Sequence, residues 1–387
     1  MDTLIVHGQV ITPGIVISDG SLGISDGKIR AIYSHSSLTV PQGVEVIDAD
    51  GLYVGPGLID THTHGGNGHD FMNCGETGLD EILTWLPSTG VTRVVPTLAA
   101  SSHEAGLEMI RCLVEAMRRP SRGAKIVGLH LEGPFLSLEK RGDQPAEAVR
   151  LPDLAEMQAL IAAGEGAVRM VTLAPELPGA IDLVRWLAGE GVRVSAGNSA
   201  ATYEETCAAI EAGLSRVTHL YNAMPPFDHR RPGLAGAALS RAELCAEIIL
   251  DGIHVHPAAA HAALRAKGAD RLILVTSATQ AAGRGDGEYT SPDGQRIFVK
   301  DGAARLENGS LAGSILTLDR AVANACAFFN LPPERAIQLA SRSPAISLGL
   351  SELGALRPGC TADVILFDAG IHVQAAFVAG RRVYPYR

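Results

Sequence analysis

Eight short apolar runs, each typical of a buried β-strand, alternate with helical stretches through the middle of this 387-residue chain. Buried strands separated by amphipathic helices form a parallel sheet with the helices packed outside it. The runs lie at 59–62, 94–97, 128–132, 171–174, 194–197, 217–220, 248–251 and 273–276, and the clearest helical stretches at 103–119, 153–163, 203–212, 315–329 and 333–348. Eight such units predict an α/β fold of the (β/α)8 TIM-barrel type. A doubly wound sheet is the alternative, but no Gly-x-Gly-x-x-Gly follows the first run.

Both ends of the chain have a different pattern. In the first fifty residues, short apolar runs are separated by Asp19-Gly20 and Asp26-Gly27, and Asp-Gly between alternating runs predicts a β-hairpin. The last thirty residues have a similar pattern. Because chain termini often lie close together, the two ends are expected to form one small β-sandwich. We therefore predict a β-sandwich domain from 1–55 and 357–387, and a metal-dependent barrel domain from 56–356.

The composition excludes several classes of protein. The formal net charge of −10 argues against a nucleic-acid partner, which would require a basic face. No run approaches the roughly 18 apolar residues that span a bilayer, and the first residues lack the basic region of a signal peptide. The six cysteines are far apart and predict buried thiols instead of a disulfide framework. We expect a cytoplasmic protein that binds no membrane.

Chemically reactive side chains stand where predicted barrel strands end, which is where barrel enzymes carry their active sites. His62 and His64 close the first strand, and their i, i+2 spacing places both imidazoles on one face. Glu132 ends the third strand, where a buried carboxylate is costly unless it is paired or binds a cation. His219 and His254 end the sixth and seventh strands. Singly, each histidine could be a core residue and Glu132 could pair with an arginine; together the five predict a shared metal site.

The set of His62, His64 and Glu132 is typical of catalytic zinc sites, which leave one position open for water. The same set suits iron(II), so the prediction is one divalent transition metal, zinc or iron. Such a metal would lower the pKa of its water and polarise a substrate carbonyl.

Two adjacent arginines, Arg230 and Arg231, precede Pro232-Gly233. A guanidinium pairs bidentately with phosphate, so both are candidate phosphate ligands. A solvated loop charge is the equal alternative.

Six segments carry a resemblance to a known family: PGLIDTHTHG at 56–65, LEGPF at 131–135, THLYNAM at 218–224, RPG at 231–233, DGIH at 251–254 and LAGS at 311–314. With these segments the chain resembles the amidohydrolase superfamily and, within it, the N-acetylglucosamine-6-phosphate deacetylase family. The resemblance covers essentially the whole length. It implies a homodimer, a (β/α)8 barrel and a small β-sandwich made from both chain ends.

The resemblance also implies roles for individual residues. Glu132 would be the central metal ligand, with His62, His64 and His219 as further ligands. His254 would hold or polarise the acetamide.

Three further residues would contact the sugar phosphate. Asn222, the backbone at Ala223 and Arg230 would hold the sugar and its phosphate. In relatives, an arginine at the Arg230 position reaches the substrate of the neighbouring subunit.

The sequence departs from the family at the active site. Asn198 replaces a metal-binding histidine, and an amide is a poorer ligand for transition metals than imidazole. Ser277 stands at the position of the general-base aspartate, and a serine cannot take that proton at neutral pH. Losing a general acid–base group typically reduces the rate by about 10²–10⁴. Gln144 replaces a further family histidine.

Three functions are consistent with these residues. The first is a deacetylase in which metal-activated water hydrolyses the acetamide of an amino-sugar phosphate. The second is a diverged enzyme with a non-hydrolytic reaction on a sugar phosphate, such as isomerisation or elimination. The third is a non-catalytic sugar-phosphate-binding protein. The surviving motifs favour the first, although function is decided by the site and not by the fold.

Overall fold

Two large β-sheets organise the protein in the computed structural model, which describes residues 1–35, 38–40 and 42–385. The strands are β1 (Thr3–Thr12), β2 (Ile15–Ser25), β3 (Lys28–Tyr33), β4 (Glu45–Asp48), β5 (Tyr53–Pro56), β6 (Leu58–Thr63), β7 (Gly65–Gly66), β8 (His69–Asp70), β9 (Val91–Leu98), β10 (Lys125–Ile126), β11 (Leu129–Glu132), β12 (Val168–Leu173), β13 (Arg193–Ala196), β14 (Leu214–Val217), β15 (Cys245–Ile249), β16 (Leu272–Val275), β17 (Gly287–Thr290), β18 (Arg296–Lys300), β19 (Ala303–Leu306), β20 (Val364–Phe367), β21 (Val373–Val378) and β22 (Arg381–Tyr384). The α-helices are α1 (Gly75–Trp85), α2 (His103–Arg118), α3 (Leu154–Ala163), α4 (Ala180–Gly189), α5 (Tyr203–Ala212), α6 (Gly233–Ser240), α7 (Pro257–Lys267), α8 (Leu318–Phe329), α9 (Pro333–Ala336) and α10 (Arg342–Ser347). Short 3₁₀ turns span Leu86–Thr89, Leu138–Lys140 and Ile337–Ala340.

The larger sheet is a nearly closed parallel barrel. Its strands follow the order β6-β9-β11-β12-β13-β14-β15-β16, and β10 pairs with β9 just before β11. The last strand returns beside the first, where the backbone N–H of Ser277 donates to the carbonyl of His62 at 2.8 Å. Strands β6, β9, β11 and β16 are buried at every residue, as expected for parallel strands covered on both faces. The (β/α)8 prediction is confirmed.

The smaller β domain combines both ends of the chain. Its strand order is β22-β21-β20-β5-β1-β2-β3, with β4 paired to β1. Strand β5, which precedes the barrel, is hydrogen-bonded to β1 on one side and to β20, which follows the barrel, on the other. The domain boundaries themselves (1–55 with 357–387, and 56–356) stay a prediction, and their residues 36, 37, 41, 386 and 387 lie outside the described residues.

Most helices lie close to the predicted stretches, and side-chain caps fix where several begin. Thr202 forms a reciprocal capping box with Glu205 at the start of α5. The predicted helical stretch over 333–348 is divided into α9, a 3₁₀ turn and α10, because Ser341 leaves the helical region at φ −131°. Among the described residues, no helix has the length and apolar character needed to cross a membrane.

One element was not predicted from the sequence. After β16 the chain forms a small antiparallel sheet of three strands, β17, β18 and β19. Ile297 of β18 and Leu306 of β19 line a cavity together with His64, so this sheet covers part of the barrel mouth where the candidate site lies.

Candidate metal centre

Three side chains from two barrel strands converge at the barrel mouth. His62 lies on β6, His64 follows its last residue, and Glu132 ends β11; their ligand atoms all lie within 4.8 Å of one another. The His62 Nε2 to Glu132 Oε1 distance is 3.5 Å, and the His64 Nε2 to Glu132 Oε2 distance is 3.4 Å. Both strands neighbour β9, so their carboxyl ends meet at the same edge. The structure therefore brings together the three ligands that the His-x-His spacing and the strand-end carboxylate predict.

The buried atoms of this group fit a divalent cation. His62 Nε2 is buried and has no hydrogen-bond partner among the described residues. A buried polar atom without a partner is rare in folded proteins and requires an explanation. A cation between the two Nε2 atoms and the carboxylate would satisfy all three groups. Two imidazoles and one carboxylate suit zinc or iron(II), so the donor set fits a transition metal without naming it.

His219 and Asn198 lie at the edge of this group. His219 Nε2 is 3.3 Å from Glu132 Oε1, but it is also 3.2 Å from Asn198 Oδ1. Asn198 Nδ2 donates to the carbonyl of Arg141 at 3.0 Å, which orients the amide with its oxygen towards His219. An amide oxygen only accepts, so His219 Nε2 carries the hydrogen in this contact and cannot bind a metal at the same time. The ligand roles of His219 and Asn198 stay predictions.

Three of the residues that follow barrel strands share a backbone conformation with positive φ. Asn198, His219 and Ser277 each stand two residues after their barrel strand ends, with φ of 48°, 34° and 48°. Residues other than glycine rarely adopt positive φ, and such strain clusters at functional sites. The repeated turn places three side chains at equivalent points of the barrel mouth.

His254 is held by a nearby carboxylate. Asp251 Oδ2 is 2.6 Å from His254 Nδ1, and Asp251 Oδ1 accepts from the backbone N–H groups of Ile253 and His254. Burial opposes the charge of Asp251, but the hydrogen bond from His254 keeps the pKa of this carboxyl below its usual value. The structure thus leaves His254 Nε2 as the nitrogen that can face a ligand.

The remaining substrate-binding candidates lie on the segment after His219. Asn222 Nδ2 donates to the carbonyl of Leu220 at 3.3 Å, and the carbonyl of Ala223 accepts from the backbone of Ser199 at 3.1 Å. Arg230 lies on an exposed loop. The substrate roles of these three residues stay predictions.

Gln144 contacts the central carboxylate. Its Nε2 donates to Glu132 Oε2 at 2.8 Å, and its Oε1 accepts from the backbone N–H of Ala100 at 2.8 Å. The backbone donor fixes the orientation of the amide, so Gln144 presents a neutral donor to Glu132. This contact with Glu132 is visible only in the structure.

Burial and neighbouring charges shift the pKa values of the three residues of the metal group. Burial alone would lower the pKa of His62, but the negative charges of Glu132 and Glu247 raise it to about 10. Burial would raise the pKa of Glu132, whereas His62 and His219 hold it well below its usual value. Burial lowers the pKa of His64 to about 4. A metal ligand must be deprotonated, so a metal that binds at neutral pH displaces the proton of His62.

A cavity of about 360 Å³ opens beside His64 and Gln144, and its charge is negative. Its acidic lining residues are Asp70, Asp143, Glu147 and Asp293, and the described lining residues include no Lys or Arg. A phosphate would find no counter-charge here.

One acidic residue of this cavity makes stability depend on pH. Burial, followed by the negative charges of Asp293 and Asp143, raises the pKa of Asp70 to about 7. Between an ordinary carboxyl pKa near 4 and this value, the folded state binds more protons than the unfolded state, so stability falls as pH rises. We expect Asp70→Asn to keep the acceptor of the Met72 N–H and to stabilise the protein. The gain is expected to grow between pH 5 and pH 8 by up to about 3 kcal/mol.

Urea unfolding at the two pH values measures this effect, and exposed Asp80, in the adjacent helix α1, provides the control Asp80→Asn. The expectation would be contradicted if the stability difference between Asp70→Asn and the native protein did not change with pH.

Sequence reasoning missed two buried charges under the metal group. Glu247 of β15 contacts His62 Nδ1 at 2.9 Å, and Arg216 of β14 contacts Glu247 at 2.7 Å. The sequence could have indicated both residues, because burying a charged side chain in an apolar strand costs as much free energy at these positions as at Glu132.

The fold and the site together define the class of protein. The model of the Amidohydrolase family matches residues 53–383, which include the whole barrel and the three-residue metal group. This class comprises metal-dependent hydrolases of the (β/α)8 type.

Individual relatives narrow the class. The N-acetylgalactosamine-6-phosphate deacetylase of Escherichia coli O157:H7 is 38% identical over 94% of this chain and 95% of its own length. The N-acetylglucosamine-6-phosphate deacetylase of Lysinibacillus sphaericus is 37% identical over 92% of each chain. An aspartate-to-alanine variant of the Mycobacterium smegmatis N-acetyl-D-glucosamine-6-phosphate deacetylase, solved in complex with N-acetyl-D-glucosamine-6-phosphate, superposes with a TM-score of 0.91 at 33% identity over 99% of both chains. The chain belongs to the amidohydrolase superfamily and, within it, to the N-acetylglucosamine-6-phosphate deacetylase family.

Proposed function

We propose that this protein is a metal-dependent deacetylase that hydrolyses the acetamide of an N-acetylhexosamine 6-phosphate to acetate and the free amine. The observation that carries the proposal is the convergence of His62, His64 and Glu132 at the mouth of the barrel. One relative is named for the galactosamine epimer and another for the glucosamine epimer. N-Acetylglucosamine 6-phosphate is the substrate we propose first.

In this proposal, one set of residues binds the metal and another contacts the substrate. When bound, zinc or iron supplies an acidic water and polarises the acetamide carbonyl. His62, His64 and Glu132 would hold the metal, with His219 beside them. His254, oriented by Asp251, donates a hydrogen bond to the acetamide oxygen as negative charge develops there.

The phosphate group of the substrate is held apart from the acidic cavity. Asn222 and the backbone at Ala223 hold the sugar, and Arg230 holds the phosphate of the neighbouring subunit's substrate in a homodimer. The dimer and a cytoplasmic location stay predictions.

A carboxylate in the cavity is available to move the proton that Ser277 cannot. Asp143 lines the cavity beside His64 and Gln144. Burial and the negative charge of Glu132 raise the pKa of Asp143 to about 6, while His219 and His254 act in the opposite direction. An acid–base group that titrates near neutral pH can take a proton from water and return it to the leaving amine. We assign this role to Asp143.

Asp143→Asn is expected to lower kcat by about 10²-fold or more, because the amide cannot accept the proton. Its metal content should stay at the native level. Steady-state kinetics and metal analysis measure both quantities, and Glu147→Gln in the same cavity lining is the matched control. A variant with native kcat would assign the proton transfer to water alone.

Metal analysis of the purified protein should find about one zinc or iron per chain, because Asn198 engages His219 and leaves one complete ligand group. Mass spectrometry of metal digests gives this number directly. A protein that is metal-free after gentle purification and does not rebind zinc or iron would instead support a binding protein.

Product analysis tests the reaction itself. The protein is incubated with N-acetylglucosamine 6-phosphate and, separately, with N-acetylgalactosamine 6-phosphate, and the products are weighed by mass spectrometry. Loss of the acetyl group supports the deacetylase, and the faster epimer identifies the substrate. Loss of water would indicate the diverged, non-hydrolytic enzyme, and an unchanged mass with retained binding would indicate a sugar-phosphate-binding protein.

A further inference from the structure

Glu247 lies at the bottom of the metal group and contacts it from within the barrel. It stands in β15 and has no exposed surface. Its Oε2 is 2.9 Å from His62 Nδ1, and its Oε1 accepts from Arg216 Nη2 at 2.7 Å. Neither Glu247 nor Arg216 belongs to the ligand group or to the predicted substrate contacts.

Arg216 is itself fixed from two further sides. Its guanidinium donates to Thr61 Oγ1 at 3.2 Å and to the hydroxyl of Ser347, and only 1% of its side chain is exposed. The backbone N–H of His219 lies 3.4 Å from Glu247 Oε2. The carboxylate is therefore anchored by strands β6 and β14 and by helix α10, and it has little freedom to move.

Stability alone does not explain a charge pair at this depth. Two buried charges lose their hydration, and well-packed apolar residues of similar volume often serve a core equally well. A carboxylate on Nδ1, however, fixes both the ring orientation and the tautomer of a histidine and leaves the Nε2 lone pair for a metal. His62 Nε2 is a buried atom without a hydrogen-bond partner among the described residues, and it lies 3.5 Å from Glu132 Oε1.

We propose that Glu247, anchored by Arg216, is a positioning residue that presents His62 Nε2 to the metal and strengthens metal binding. This inference rests on the metal site of the proposed function, but it does not depend on which substrate the enzyme hydrolyses.

Zinc affinity provides the test. The metal-free protein is titrated with Zn²⁺ against a chelating dye, without any substrate. We expect Glu247→Gln to weaken Zn²⁺ binding about 10–100-fold, which is the usual effect of removing such a partner. The matched control is Glu243→Gln, which removes an exposed carboxylate just before β15 and should bind Zn²⁺ like the native protein.

A second variant separates positioning from folding. Glu247→Gln leaves the charge of Arg216 buried without a counter-charge and can prevent folding. The double variant Glu247→Gln, Arg216→Met removes both charges. We expect it to recover thermal stability relative to the single variant and to retain the full loss of Zn²⁺ affinity.

A spectroscopic signature tests the contact in the unmodified protein. The hydrogen between His62 Nδ1 and Glu247 should give a proton resonance far downfield, present in the native and Zn²⁺-loaded protein and absent in the double variant. Folded variants that bind Zn²⁺ within twofold of the native protein, or a native spectrum without this resonance, would overturn the inference. Native Zn²⁺ binding without deacetylation would overturn the proposed function and leave the inference standing.

Discussion

Glu132→Gln is expected to release the metal and to lower kcat/KM for acetamide hydrolysis by at least about 10³-fold. Oxygens of Glu132 lie 3.3–3.5 Å from the Nε2 atoms of His62, His64 and His219, so one carboxylate joins the whole group. A glutamine keeps the volume but removes the charge and one acceptor oxygen. A metal bound here would contribute several kcal/mol to transition-state stabilisation, and each 1.36 kcal/mol corresponds to about tenfold in rate.

Kinetics and metal analysis of the same preparation check this expectation. Glu139→Gln is the control, because Glu139 is an exposed carboxylate in the segment after β11 that pairs with Lys140. A Glu132→Gln protein that keeps its metal and loses less than tenfold in kcat/KM would show that the ligand group is wrong.

The double change Ser277→Asp, Asn198→His is expected to raise deacetylation by about 10²-fold, the lower end of the usual contribution of a general acid–base group, because Asp143 already supplies part of that contribution. Aspartate restores a carboxylate beside His62, whose carbonyl accepts from the backbone of residue 277. Histidine replaces the amide that now engages His219, so the metal content should also rise. Both positions have φ of 48°, and Asp and His are among the residues that tolerate this conformation best.

Ser277→Asn with Asn198→His is the matched comparison, since it has the same side-chain size but no base. If the native protein is already fast and the Asp-containing variant is slower, the account of a missing base is wrong and Asp143 alone suffices for proton transfer.

The barrel and the smaller β domain could be predicted from local patterns in the sequence. Apolar runs and Asp-Gly turns depend on neighbouring residues only, so the barrel and the two-ended β domain follow from them. The metal group follows because a barrel brings the carboxyl ends of β6 and β11 together. The same turn signal stands at Asp293-Gly294 and Asp301-Gly302, at the two turns that join β17, β18 and β19, and could have located that sheet.

The contacts across the barrel were not predictable. Glu247 and His62 are far apart in sequence and meet only because the strands close around one axis. The engagement of His219 by Asn198 depends on an amide orientation that is fixed by the carbonyl of Arg141. Such contacts depend on where distant parts of the chain lie in the folded barrel, which no local residue pattern encodes.

The strand order of the smaller domain has a consequence for how the protein is made. Strand β5 needs β20 as its neighbour, and β20 leaves the ribosome only after the entire barrel has been synthesised. Until translation is almost finished, β5 therefore carries an open hydrogen-bonding edge, which is a site for pairing with other nascent chains. A message truncated before Val364 would yield a polypeptide that has every metal ligand but is prone to aggregate.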